Sequence, residues 1–348
     1  MTNQPKRTGL RAVTYLLILA VMVYVVVYMP TPYIVYRPGS AEEIKPMIEI
    51  KESDPEEEGT FMLTTVSGSY ANIALLAISV FNPHASVDRK EARLGTRSED
   101  EYAAEQVYYM SNSQSTAMEA AYTKAGVPYS IVTEYMYVFS VSKDSERGNY
   151  FKSGDKIWEV DGERASDHDT LTALLKEKEV GESVTVRLQR KGEMIDEKVP
   201  LVAIKDEKTS ITRPGLGVTI ASVQKVAANN PKHQVNFIDT RIGGPSAGLM
   251  FTLEIYNQLT PGDLSKGYRV AGTGTMKDKS GAVGAIGGVQ FKIVAAHRKK
   301  ADIFFVPQDN YKDAKAKADS IGTDMVIVPV STLDDAISYL EQLEPKAE

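Results

Sequence analysis

The sequence predicts a multidomain α/β (α+β) protein with one N-terminal transmembrane helix. Three observations carry that prediction. From Leu216 onward, apolar runs of strand length alternate with helical patterns, as in a compact α/β domain. Between Val127 and Val202 short strands and turns dominate instead. Ala12 to Met29 carries no charge and matches the roughly 17–25 helical residues that cross a hydrocarbon core.

The expected divisions are residues 1–11 as a cytoplasmic N-terminus, 12–29 as the transmembrane helix and 30–126 as a small extracellular region. A β-rich domain at 127–203 and an α/β domain at 212–348 follow. Lys6, Arg7 and Arg11 precede the apolar run, and the next charge is Arg37. The positive-inside bias then puts the first residues in the cytoplasm and everything after Pro30 outside. A cleaved signal peptide is the rival, but its apolar region is usually about 7–15 residues and ends in small residues. Here the run ends in Tyr-Met-Pro.

The 348 residues hold 40 basic and 46 acidic side chains, a net charge of -6 that disfavours nucleic acid as partner. There is no cysteine, so disulfides and thiol chemistry are excluded. His84, His168, His233 and His297 show no spacing that would hold zinc on one helix, and neither a metal nor a cofactor is expected.

Thr31 to Gly59 reads as a proline-containing stalk, and its acidic run at 56–58 as solvated surface. Thr60 to Ser67 is β-branched and predicts a strand. Ala71 to Phe81 suits a helix, and Ser98 to Lys124 a long one stopped at Gly126. Nothing before Gly126 announces chemistry. In the next unit Tyr137 to Val141, Lys156 to Val160 and the alternating Ser183 to Arg190 predict strands. Asp167 to Lys176 predicts a helix, and Glu197 to Val202 a last strand.

Chemistry concentrates in two later segments. Ile242-Gly243-Gly244-Pro245-Ser246-Ala247-Gly248 makes a tight turn before a helix that runs to about Leu259. Ser246 there is either a helix-capping serine or a nucleophile beside free backbone N–H groups that suit an oxyanion. Gly287-Gly288 opens a second helix, with Lys292 in its first turn beside the apolar Val289, Ile293 and Ala296. The helix N-terminus repels an ammonium, and burial penalises its charge. Lys292 is then either a general base with a lowered pKa or a lysine whose stem crosses the core to water.

Taken in order, GGPSAG, Gly272-Thr273-Gly274 and IGGVQFKIVAAHR resemble the proteolytic domain of Lon proteases, from Leu216 to about Leu343. The resemblance implies a serine peptidase with Ser246 as nucleophile and Lys292 as base. It also implies that Thr273 orients the lysine, with Gly244, Pro245 and Ala247 supporting the serine. Gly244 stands where many Lon enzymes have aspartate, and Gln290 at the earlier of two lysine positions. FKSGDKIWEVDGERA, LTALL and VTVRLQRKGE resemble a PDZ domain of bacterial proteases, which implies capture of peptide or protein substrates. Such domains hold a peptide C-terminus on a glycine-rich loop before the second strand, and Glu134-Tyr135-Met136 at that place has no glycine. No G-x-x-x-x-G-K-[ST] loop occurs, so no ATPase is expected within these residues.

The order of parts is similar to the membrane-anchored, PDZ-containing Lon-like proteases of single-membrane bacteria. That likeness implies an ATP-independent endopeptidase cutting extracellular peptides or membrane-tethered proteins, and a homo-oligomer in the form of a hexameric ring. Three other readings compete. The chain could be a catalytically inactive PDZ-based extracellular scaffold. It could use a Ser-His-Asp triad of Ser246 with His233 or His297 and Asp239. It could bind nucleotide on the glycine-rich stretch 272–288.

Overall fold

The computed structural model describes residues 6–54, 58–141, 146–205, 212–238 and 242–347. Its first element is a helix, Lys6–Tyr28, of which Gly9–Tyr28 is long and apolar enough to cross a membrane and packs inside nothing. The chain turns at Met29 and enters a strand directly.

A six-stranded mixed sheet joins strands from the first ninety residues to strands from the C-terminal domain. Its order is Val326–Val330, Ile303–Pro307, Arg269–Gly272, Thr60–Asn72, Pro30–Glu43 and Ser86–Arg89. The first four strands run parallel, and the last two pair antiparallel. Side chains alternate across a strand, and this sheet uses both faces. Phe61, Leu63 and Phe305 join a core with Leu249, Phe251 and Leu253 of the helix Gly248–Leu259 and Leu340 of Leu333–Glu341. Met62 and Phe304, one residue out of phase, join Ile293 and Ala296 of Val289–Arg298 and Ala314 of Tyr311–Ile321. The result is a sheet covered by helices on both sides.

This topology corrects the reading of residues 30–126. The stretch from Thr31 is not a stalk, because as far as Glu43 it is a strand paired antiparallel with Thr60–Asn72. The long helix Glu99–Ala125 starts at a capping box on Ser98 and ends at a left-handed Gly126. Its buried Met110, Ala117 and Tyr122 pack into the same core as Gly248–Leu259. Sequence reading missed this because the partner of a strand is set by residues roughly 200 positions away, as in Leu63 beside Gly272.

A second sheet is ordered Val218–Ala228, Tyr129–Val141, Lys156–Val160, Ser183–Arg190 and Glu193–Pro200. Ser183–Arg190 alternates buried Val184, Val186 and Leu188 with exposed neighbours, as its sequence predicts. These residues close a core with Phe151, Ile157 and the helix His168–Leu175, which is capped by Asp167. Val218–Ala228, expected in the C-terminal domain, belongs to this sheet. Two observations bear on peptide capture. Glu134-Tyr135-Met136 is not a loop but lies inside Tyr129–Val141. One edge of that strand is filled along its length by the chain's own Val218–Ala228, and the other pairs with Lys156–Val160 at Met136 and Tyr137. A peptide adding to the first of these edges by β-augmentation would have to displace the chain's own strand.

Candidate active site

Two turn–helix junctions meet at one cleft of about 770 Å³, lined by residues from both ends of the chain. At the first, Gly244 takes φ +91°, a left-handed conformation that favours glycine. Its N–H donates to the carbonyl of Gln106 on the long helix. A Cβ at Gly244 would come within 3.1 Å of Gln106 Oε1. This accounts for glycine at the position. Pro245 O accepts a 3.0 Å bond from Ser113 Oγ, a 4% exposed hydroxyl of the same long helix.

Ser246 follows, in a turn just ahead of the helix, which begins at Gly248 with Ala247 as its buried cap. Its carbonyl accepts two bonds, from Thr273 Oγ1 and Gly274 N–H, each 2.9 Å. Thr273 is fully buried. Its hydroxyl thus holds the serine's backbone, whereas the resemblance implies a role in orienting the lysine. The Ser246 N–H has no acceptor among the described residues and is free to receive one from a ligand.

At the second junction Gly288 adopts φ +71° and caps Val289–Arg298. Four residues on, the side chain of Lys292 is 3% exposed and reaches back across the sheet. Its Nζ lies 3.0 Å from Ser246 Oγ. It also donates to the carbonyl of Thr64 at 2.5 Å. No carboxylate pairs with it among the described residues. Burial alone pushes its pKa from 10.5 down to about 7. A lysine so placed exists substantially as a neutral amine near neutral pH, with its nitrogen beside a hydroxyl.

The structure thus brings Ser246, Lys292, Gly244, Pro245, Ala247 and Thr273 to one place. It does not bring the histidines there. His233 Nε2 is 3.8 Å from Glu52, His297 Nδ1 is 3.0 Å from Thr323 Oγ1, and His84 lies against Lys317. Asp239 lies outside the described residues. Gln290 is exposed and lines the cleft. Among the described residues no acidic or histidine cluster could hold a metal.

Sequence reading missed the contribution of residues 30–126. Thr64 supplies the acceptor that orients the lysine, while Gln106 and Ser113 set the serine turn. Tyr36, Tyr70, Arg93 and Tyr102 line the far part of the cleft. A buried polar residue inside an apolar helical stripe, as at Ser113, was the available signal.

Residues 239–342 match the model of the Lon protease (S16) C-terminal proteolytic domain. The chain carries a Lon-type proteolytic domain. Residues 95–201 match the PDZ domain model. The Lon protease of Aster yellows witches'-broom phytoplasma (strain AYWB) is 34% identical over 97 residues, 28% of this chain and 12% of that protein. The Lon protease of Azospirillum brasilense is 34% identical over 104 residues, 29% of this chain and 12% of that protein. The Escherichia coli (strain K12) Lon protease is 29% identical over 102 residues, 29% of this chain and 13% of its own length. The chain thus spans about one eighth of these relatives. Among solved structures, the PDZ domain of the SdrC-like protein of Listeria monocytogenes is similar at 26% identity and TM-score 0.23. It covers 26% of this chain and 90% of that one. The Lon-type domain supports serine peptidase function, and the PDZ domain suggests peptide or protein binding.

Proposed function

We propose that this protein is a membrane-anchored serine endopeptidase in which Lys292 activates Ser246, acting outside the cell without ATP. The observation that carries the proposal is the 3.0 Å approach of Lys292 Nζ to Ser246 Oγ at a lysine that burial holds near neutrality. The neutral amine takes the hydroxyl proton as Oγ bonds to the substrate carbonyl carbon. The carbonyl oxygen becomes an oxyanion, and the free Ser246 N–H is a donor for it. The ammonium of Lys292 then gives its proton to the departing amine as the peptide bond breaks. Water, deprotonated by the same amine, releases the acyl group and restores the serine.

Substrate is bound in extended form. Thr60–Asn72 pairs on one side with Pro30–Glu43, but on the other with Arg269–Gly272 only as far as Leu63. From Thr64 onward the second edge has no strand partner among the described residues, and Thr64, Val66, Gly68 and Tyr70 line the cleft. An exposed edge of this kind accepts a peptide backbone as an added strand. The PDZ domain contributes to partner binding, outside the strand edge that the chain itself fills.

Anchoring rests on Gly9–Tyr28 and on its preceding basic residues, which favour an inside N-terminus. Independence from ATP rests on the absence of a phosphate-binding loop in these 348 residues. The test is cleavage of an unstructured peptide by the full chain in lipid nanodiscs, with and without nucleotide. Cleavage equal in both and absent from Ser246→Ala supports the proposal. Cleavage only with ATP, or undiminished in Ser246→Ala, contradicts it, and no cleavage at all favours the scaffold reading.

A further inference from the structure

The anchor helix has an apolar neighbour that the peptidase reading leaves unused. Asn72 ends the strand Thr60–Asn72 and caps the short helix Ile73–Ser79, accepting from Leu75 N–H at 2.7 Å. The other end of its amide donates to the carbonyl of Val27, one residue before the anchor helix ends. The short helix therefore sits beside the exit of the anchor. At its far end Ile78, Val80 and Phe81 are 65%, 81% and 87% exposed. From Ile73 to Val87 there is no Asp, Glu, Lys or Arg. Large apolar side chains exposed together mark a contact surface. The backbone is ready to leave water, because Phe81 N–H donates to Ile78 O and Asn82 N–H to Ser79 O. The Ser79 hydroxyl is likewise bound, to Leu76 O.

We propose that the tip at Ile78–Phe81 inserts into the outer lipid interface as a second membrane contact, an inference that rests on the anchor reading. Lipid is the occupant because the short helix that leads to the patch is tied to the anchor at Val27, where a spanning helix leaves the hydrocarbon. Tyr24 and Tyr28, stacked with ring centroids 5.6 Å apart, mark the same level. A helix alone lets the catalytic half swivel, whereas two contacts fix its tilt. The strand Thr60–Asn72 then rises from the membrane at a set angle. Thr64, the lysine's acceptor, is eight residues from Asn72, or about 26 Å of strand. The cleft is thus held at a fixed height, suited to the juxtamembrane stretch of a membrane-tethered polypeptide.

The chain has no cysteine, so Phe81→Cys can be labelled alone with a polarity-sensitive fluorophore. The full-length variant is reconstituted in vesicles with and without brominated lipid. Val180→Cys, on an exposed turn of the PDZ domain, is the labelled control. The expected result is blue-shifted emission at position 81 that brominated lipid largely quenches, with the control unaffected. Co-flotation with vesicles but unquenched emission overturns this inference and leaves the anchor standing. Unquenched but blue-shifted emission also overturns it, in favour of a protein partner. Failure to co-float overturns the anchor and this inference together. Ile78→Cys, measured in the same way, should report the same burial in lipid.

Discussion

Replacing Lys292 by methionine keeps the volume of the stem and removes its titrating nitrogen. In the unfolded chain this lysine holds its proton up to pH 10.5, whereas in the fold it releases it at about 7. Between those values the unfolded chain binds more protons, so folding stability rises with pH across that window. The change from 10.5 to about 7 corresponds to about 5 kcal/mol, borne in full below pH 7 and gone above pH 10.5. Methionine escapes that cost. It also leaves the Thr64 carbonyl without its lysine donor, a loss of about 1–3 kcal/mol. Lys292→Met should therefore be more stable than the parent by about 2–4 kcal/mol below pH 7, since the two terms oppose. The advantage should shrink as pH rises and reverse at about pH 8–10, where the remaining proton cost falls below the lost hydrogen bond. Scanning calorimetry of parent and variant at several pH values measures this, at roughly 2–4 °C per kcal/mol for a domain of this size. A constant offset between the two proteins from pH 6 to 10 would mean that the fold leaves the lysine's proton undisturbed. The physical basis for a base at this position would then be gone.

Activity should follow the same titration. Turnover of the parent should rise with pH through about 7 and level off above it, measured on an unstructured fluorogenic peptide. Lys292→Met and Ser246→Ala should each lose several orders of magnitude, and the double variant little more, because nucleophile and base act as a unit. Thr273→Val removes one of two donors to the Ser246 carbonyl and should cost about 1 kcal/mol of stability and lower kcat, while Thr273→Ser should restore both. Gly244→Ala forces a side chain into a left-handed conformation against Gln106 and should destabilise the domain by about 1–3 kcal/mol, read as a lower melting temperature.

Elements with a strong local period were legible from sequence. Lys156–Val160 and Ser183–Arg190 occupy the positions their patterns predict. Ser246 and Lys292 were legible for a similar reason: each sits at a glycine-marked turn entering a helix, and a short window contains the signal. What pairs across the sheet has no such window. Thr60–Ser67 read as a strand, yet nothing near it tells that its neighbour is Arg269–Gly272 or that the Thr64 carbonyl meets Lys292, 228 residues away. The bond from Thr273 to the Ser246 carbonyl was not legible for the same reason, since a hydroxyl's acceptor depends on packing that only the assembled sheet supplies. Nothing in Val218–Ala228 itself tells that it occupies the PDZ sheet's edge and not a place in the C-terminal domain.

The central claim is that Lys292 makes Ser246 a nucleophile. It is tested most directly by treating the full chain with a serine-directed acylating reagent at pH 8 and locating the adduct by peptide mass mapping. The account predicts a single adduct on Ser246, lost in Lys292→Met although that variant melts no lower than the parent at neutral pH. An adduct on another serine, or undiminished acylation of Ser246 in Lys292→Met, would contradict it.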